Sequence, residues 1–188
     1  MKNTTEVENF QLGELVERIK CSLLPILQKK KVDKLETLQE EGVLCNQLYF
    51  VQSGAVKQYY IKGGKEFIQN FFFEGDVAAL FNNFMAKSTA DSYLQAIEGT
   101  ELLVLDYHSF ASFSHLNPQF TSQMTILMSK VNTQRMNLLL MSDGMMRYKK
   151  ILKDQPEILN RVPHYMIASY LGMTPETLSR IRKKLSVA

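Results

Sequence analysis

The 188-residue sequence has only two cysteines, Cys21 and Cys45, and three histidines, His108, His115 and His164. Two thiols are too few for a secreted disulfide scaffold and point to a reducing compartment. They are also too few for an iron–sulfur cluster, which is usually held by four thiolates. Both read as plain structural thiols. The histidines are scattered, without the spacing of a metal site, so no metal is expected. No stretch approaches the roughly 20 apolar residues of a membrane span. The first ten residues, "MKNTTEVENF", hold no apolar core of signal-peptide type. These absences lead to the expectation of a cytoplasmic protein with no membrane partner.

What is present is an ordinary globular composition, 45% hydrophobic and 22% charged, with a net charge of +3. The charge is unevenly spread. Residues 145–188 hold nine Lys/Arg and three acids, a net of +6, which leaves the rest of the chain at −3. A basic tail behind an acidic-leaning body suggests a polyanionic partner at the C-terminal end.

Apolar spacing over Phe10–Leu27 predicts a short amphipathic helix broken near Pro25. From Lys34 to Asp106 short runs rich in Val, Ile, Phe and Tyr alternate with glycine turns at Ser53-Gly54, Gly63-Gly64 and Glu98-Gly99-Thr100. Many short strands at close spacing predict a small antiparallel barrel or roll. The polar segment "ALFNNFMAKSTADS" interrupts the pattern and predicts a short helix and loop inserted in the roll.

Asn117-Pro118 then predicts the start of a long helix, with Asn117 as the cap and proline in the first turn. Steps of four and three give Phe120, Met124, Leu127, Val131, Gln134, Leu138, Met141 and Met145, a heptad seam with one polar position. Such a seam predicts a helix that pairs with a twin chain, Gln134 fixing the register. A second apolar set, Ile126, Leu139 and Leu140, lies on another face, so one helix can serve both its own roll and a partner. Ser142-Asp143-Gly144 reads as a hinge, since glycine is costly inside a helix. "MMRYKKILKDQPEILNRV" predicts a further helix that ends before Pro156.

The final segment, "VPHYMIASYLGMTPETLSRIRKKL", has apolar spacing at Ile167, Tyr170 and Leu171, then Gly172 at a tight turn. Thr174 suits the cap of a second helix, Pro175 its first position and Glu176 its first turn. Leu178, Ile181 and Leu185 form a buried stripe. Helix, short turn and helix is the helix-turn-helix layout. Pro175, Glu176, Thr177, Ser179, Arg180 and Lys183 face outward, with the Thr177 hydroxyl free to point out. Arginine grips guanine with two bonds and glutamate accepts from cytosine. Arg182, Lys183 and Lys184 suit phosphates, as do the helix-start amides near His164 and Tyr165.

The whole chain resembles the Crp/Fnr superfamily of bacterial transcription regulators. "LYFVQSGAVKQYY" resembles the family's glycine-turn hairpin, and "IASYLGMTPETLSRIRKKL" its DNA-reading unit. The resemblance implies an α+β chain. Its parts are an antiparallel double-stranded β-roll of cyclic-nucleotide-binding type over 1–116, a dimerisation helix over 117–143 and an all-α helix-turn-helix domain over 144–188. It implies that Glu176, Ser179 and Arg180 match the family's Glu-x-x-Ser-Arg reading pattern. It also implies a homodimer on a palindromic operator, with RNA polymerase as a further partner and an effector in the roll. In members that bind cyclic AMP, a Gly-Glu pair holds the ribose and a later arginine the phosphate. Here the Gly-Glu position falls near Asp76-Val77 and the arginine near Ala90-Asp91, with Lys87 the only nearby cation. Neither cyclic-nucleotide binding nor an iron–sulfur cofactor is expected, and the effector stays unnamed. Roll-shaped metal enzymes of the cupin type need clustered His and carboxylate ligands, which the strands lack, and no Ser/His/Asp or Cys/His set stands out. An enzyme is therefore not expected. The alternative is a regulatory module that binds a small ligand or a protein through the roll without touching DNA.

Overall fold

The computed structural model describes residues 4–186, with side chains from 13 to 185, so Phe10 and Leu12 of the expected N-terminal apolar face lie outside the described side chains. The first helix, α1 (Thr4–Leu23), turns Val16, Ile19 and Leu23 into the core. Pro25 follows in a single 3-10 turn, Leu24–Ile26. Without an N–H, proline cannot extend the helical ladder.

Eight strands come next: β1 (Gln28–Val32), β2 (Thr37–Gln39), β3 (Gln47–Ser53), β4 (Val56–Lys62), β5 (Lys65–Phe72), β6 (Val77–Ala78), β7 (Tyr93–Ala96) and β8 (Thr100–Asp106). They form two antiparallel sheets, ordered β1-β8-β3-β6 and β2-β7-β4-β5, which close over a shared core as a β-roll. Gly54 joins β3 to β4 at a φ of +91°, where an added Cβ would lie 2.5 Å from Thr100 Oγ1 and 2.6 Å from the Gly99 carbonyl. Any side chain there would break the turn. The Gly54 amide donates to Glu74 Oε1 at 2.7 Å, which ties this turn to the one between β5 and β6.

The inserted helix α2 (Phe81–Ala86) buries Phe84 against Phe110 and Tyr107. No helix is expected between Asp106 and Asn117, yet α3 (Tyr107–Leu116) fills that interval. Its cap is Asp106, whose carboxylate accepts from the Ser109 amide at 3.0 Å. Asn117 does not cap the next helix as expected. Its side-chain amide donates back to the Phe113 carbonyl at 3.1 Å and so closes α3.

The long helix α4 spans Pro118–Leu140. Its expected partner seam needs correction. Phe120, Met124, Leu127 and Leu138 are buried within this chain, the first three in the roll core and Leu138 in a second core. They are not available to a twin. Val131 is half-buried and Gln134 exposed on the same helix. Met141 is an extended residue at the helix end and Met145 belongs to the next helix, so the seam stops short of both. The apolar residues that α4 leaves in solvent are Ile126, Met136, Leu139 and Leu140.

Asp143 caps α5 (Gly144–Asp154), its carboxylate accepting from the Met145 amide at 2.9 Å. Helix α5 ends before Pro156, as expected, and a separate short helix, α6 (Glu157–Arg161), follows. The chain then forms α7 (His164–Tyr170) and α8 (Pro175–Ser186). These helices share the second core with the outer face of the β4–β5 hairpin: Tyr59, Ile68, Phe71 and Phe73 meet Tyr148, Ile151, Ile167 and Leu171. Strand β5 is a sheet edge, and α7 covers it. The Ser169 hydroxyl accepts from the Ile68 amide at 3.0 Å, and Arg135 of α4 donates to the Ile68 carbonyl. An open strand edge is a template for unwanted pairing, and here the C-terminal helices occupy it.

Candidate nucleic-acid interface

The helix pair α7–α8 is built as its sequence dictates. Met166, Ile167, Ala168, Tyr170 and Leu171 are buried, and Leu178 anchors α8 beneath them. Gly172 turns the chain at a φ of +64°. Its amide donates to the Ser169 carbonyl and the Met173 amide to that of Ala168, which closes α7 in hydrogen bonds. Thr174 begins α8: its hydroxyl accepts from the Thr177 amide at 3.3 Å. The Thr177 hydroxyl does not point freely outward, because it lies 3.2 Å from the Thr174 hydroxyl.

Thr174, Pro175, Glu176, Thr177, Ser179, Arg180, Lys183 and Lys184 are exposed on α8. The Glu176 carboxyl is held below its usual value by its own amide and the Thr174 hydroxyl at the helix start, with Arg180 adding through space. Among the described residues, Glu176 and Arg180 form no direct ion pair. Arg180 is exposed to solvent, and Glu176 is exposed too, with its carboxyl engaged locally at the helix start. Arg182 is half-buried and rests against the ring of His164, its Nη1 3.0 Å from Nδ1, so these two expected phosphate contacts start from an internal pairing. Tyr165 stands 57% exposed at the start of α7, beside that pairing.

The basic tail is not uniformly offered to a polyanion. Arg147 donates to the Met141 carbonyl, Lys150 pairs with Asp154, and Arg161 pairs with Glu74 and Glu98 of the roll. The exposed cations of the tail gather instead on α8 and on Lys149 and Lys153 of α5. Local sequence carries no signal for the Arg161 clamp, since its partners lie far back in the chain.

Inside the roll, a cavity of about 220 Å³ opens beside α2 and α4. Gln58, Gln69, Asn70, Asn82, Asn83 and Asn132 give it six amides, and Asp91 its one charge; no Lys, Arg or His lines it among the described residues. Asp76-Val77, expected there, is not part of it; the stretch that lines it is Ala79–Asn83. Lys87 is not there either: its ammonium lies 4.3 Å over the Tyr107 ring. Cys45 is buried, and burial pushes its thiol up to about 11; Cys21 is exposed, and the two are unbonded. Among the described residues no group of His, Cys, Asp and Glu is placed to hold a metal, and no helix is long and apolar enough to cross a membrane.

Comparison with known proteins agrees with this layout. The cyclic nucleotide-binding domain family matches residues 29–116. The chain is 25% identical over 191 residues to the anaerobic regulatory protein of Haemophilus influenzae, covering 94% of this chain and 70% of that one. It is likewise 25% identical to the fumarate and nitrate reduction regulatory protein of Escherichia coli K12, covering 94% and 72%. Among solved structures, FixK2 from Bradyrhizobium japonicum superposes with a TM-score of 0.73 at 22% identity, over 86% of this chain and 85% of that one. The c-di-GMP responsive global regulator CLP of Xanthomonas campestris gives 0.70 at 19% identity, over 91% and 92%. A β-roll, a long helix and a C-terminal helix-turn-helix follow in the same order, so the chain shares the fold of these regulators and is similar to them over most of its length.

Proposed function

We propose that the protein acts as a homodimer that reads a palindromic operator with α8, in the cytoplasm, as a regulator and not as an enzyme. The observation that carries this is α8 itself. It is capped by Thr174, anchored by buried Leu178, and leaves Glu176, Ser179 and Arg180 exposed on one outward face. Arg180 takes guanine, Glu176 accepts from cytosine, and Lys183 and Lys184 hold phosphates, with His164, Tyr165 and Arg182 at the flank. The twin packs on the solvent-facing apolar residues of α4: Ile126, Met136, Leu139 and Leu140. RNA polymerase is the further partner.

The roll cavity does not take a cyclic nucleotide. A cyclic phosphate would meet the Asp91 carboxylate and find no cation among the residues that line the space. An anion without a counter-charge in a confined site is strongly disfavoured. Titration calorimetry with cyclic AMP should show no saturable heat.

Selection of bound DNA from a random pool, with the purified protein, tests the reading. Two inverted half-sites about 34 Å apart, or one duplex turn, are expected. Enrichment of single half-sites, or of no sequence at all, would refute it.

A further inference from the structure

The cavity inside the roll has a floor and a rim of different kinds. Phe72, Leu80 and Met128, all buried, give it an apolar floor. The rim is polar: the amides of β4, β5, α2 and α4 named above, with Asp91 just before β7. Its volume of about 220 Å³ is below the roughly 300–1,000 Å³ of sites for drug-sized ligands, which suits a single small ring.

Bonds within the protein fix which end of each amide remains. The Gln58 amino group donates to Gln69 Oε1 at 3.0 Å and to Ser92 Oγ at 3.2 Å. That leaves the Gln58 oxygen as an acceptor and the Gln69 amino group as a donor. Asn70 Oδ1 accepts from the Phe71 amide at 3.0 Å, which leaves its amino group. The Asn83 amino group donates to the Thr89 carbonyl at 2.8 Å, which leaves its oxygen. Asp91 adds an acceptor-only carboxylate. One of its oxygens takes the Ser92 hydroxyl at 3.1 Å, and it has no ion pair among the described residues.

The rim therefore holds donors and acceptors of fixed sense. A ligand whose polar atoms only accept leaves Gln58, Asn83 and Asp91 unmet, and one whose polar atoms only donate leaves Gln69 and Asn70 unmet. Each polar group covered but unpaired is costly. A hydroxyl donates and accepts through one atom and so pairs with either kind.

We propose that the roll cavity binds a free, uncharged monosaccharide. Its C–H face lies on Phe72, Leu80 and Met128. Its hydroxyls donate to Asp91, Gln58 and Asn83 and accept from Gln69 and Asn70. The bonds to Asp91 are the strongest, because that acceptor is charged. The proposal rests on the reading that this cavity rejects a cyclic phosphate, and it names the class that the cavity takes instead. It does not depend on the operator.

The test is an NMR titration of the isotope-labelled full chain, followed through the side-chain amino groups of Gln69 and Asn70. The probes are D-glucose, D-galactose and D-ribose. D-glucuronate serves as an anionic counterpart and tetrahydropyran as a ring without hydroxyls. At least one of the three sugars should shift both amino signals saturably, with a dissociation constant of about 1 mM or below. Glucuronate should bind at least about tenfold more weakly, since its charge meets Asp91 without a cation. Tetrahydropyran should give no saturable shift, because a site built to pair hydroxyls rejects the ring that lacks them. Asp91→Asn should melt like the wild type, weaken the sugar by about tenfold and narrow its advantage over glucuronate. Gln69→Leu, read through Asn70, should weaken it by about fivefold. No saturable shift with any of the three sugars at about 50 mM, equal binding of glucuronate or tetrahydropyran, or unchanged affinity in both variants would overturn the proposal. Cyclic AMP, titrated separately, keeps the two readings apart. If neither it nor a sugar binds, the monosaccharide proposal alone falls; if cyclic AMP saturates the cavity, the reading beneath it falls as well.

Discussion

Helix α4 has two apolar faces, and they differ in what covers them. On one, Met124 and Leu127 are 0% and 1% exposed, sealed by the roll core. On the other, Ile126 and Leu140 are 51% and 73% exposed. The residue types are alike, and both sets recur at helical spacing. The lesson is that periodicity identifies a face that needs covering, while the three-dimensional arrangement decides whether the chain itself or a partner supplies the cover. Truncating one residue on each face separates the two most strongly. Leu127→Ala should cost about 2–5 kcal/mol of folding stability, because it removes buried methyl groups and leaves a cavity. Leu140→Ala should stay within about 0.5 kcal/mol, as exposed substitutions do. Denaturant unfolding of the isolated variants, at protein concentrations low enough to keep any dimer apart, measures both.

The reverse experiment charges the open face. Ile126→Glu together with Met136→Glu should leave the fold of the single chain intact and abolish self-association in sedimentation. Binding to a two-half-site operator should then weaken by about 100-fold, since linking two reading helices adds avidity of that order. Binding to one isolated half-site should be unchanged. If the variant still dimerises, the twin sits elsewhere on the chain.

This same helix shows how far the sequence can be read. The roll, the insertion at α2 and the helix-turn-helix all follow from local patterns: glycine turns, alternating strands, and the Gly172–Thr174–Pro175 succession. The seam Phe120–Met124–Leu127 is visible too, but its occupant is not, because burial against α1 and α3 is a fact of tertiary packing. Helix α3 was hidden since "YHSFASFSHL" has no strong cap signal beyond Asp106, which also ends a strand. Asp76 shows the same limit within the candidate sites. The family resemblance puts it near the roll's ligand, whereas its turn carries it away from the roll cavity, toward α6. The Arg161 clamp joins residues 63 and 87 positions apart, a distance over which no local pattern speaks.

On α8 a similar contrast separates two cations on one exposed face. Arg180→Ala should cost about 1–3 kcal/mol at the cognate operator and blur one base position. Lys183→Ala should weaken all sequences alike and lower the salt slope by about one. Binding titrations at several salt concentrations, against cognate and scrambled DNA, separate the two. Identical behaviour of the variants would erase the distinction between base reading and phosphate contact.

The smallest expected effect concerns two acids of one turn, Glu74 and Asp76, which shift in opposite directions. Arg161 donates to both Glu74 oxygens, at 2.7 and 2.9 Å, and also to Glu98. This pairing holds the Glu74 carboxyl at about 2, while Asp76, without such a partner, is pushed up to about 6. A depressed carboxyl contributes stability that is full above its ordinary value and is lost as pH falls through the folded one. The Glu74 contribution is therefore present above about pH 4.5 and disappears toward about pH 2. The Glu74 side chain is 44% exposed, so water screens the pair and its worth is about 1 kcal/mol or less. Arg161→Met keeps the stem that packs on the Phe73 ring and removes the charge. In acid titrations followed by unfolding, the wild type should lose about that much more stability than Arg161→Met between pH 4.5 and pH 2. Above pH 5 the gap between them should be constant. Parallel acid profiles would mean that the clamp between roll and α6 rests on packing and not on charge.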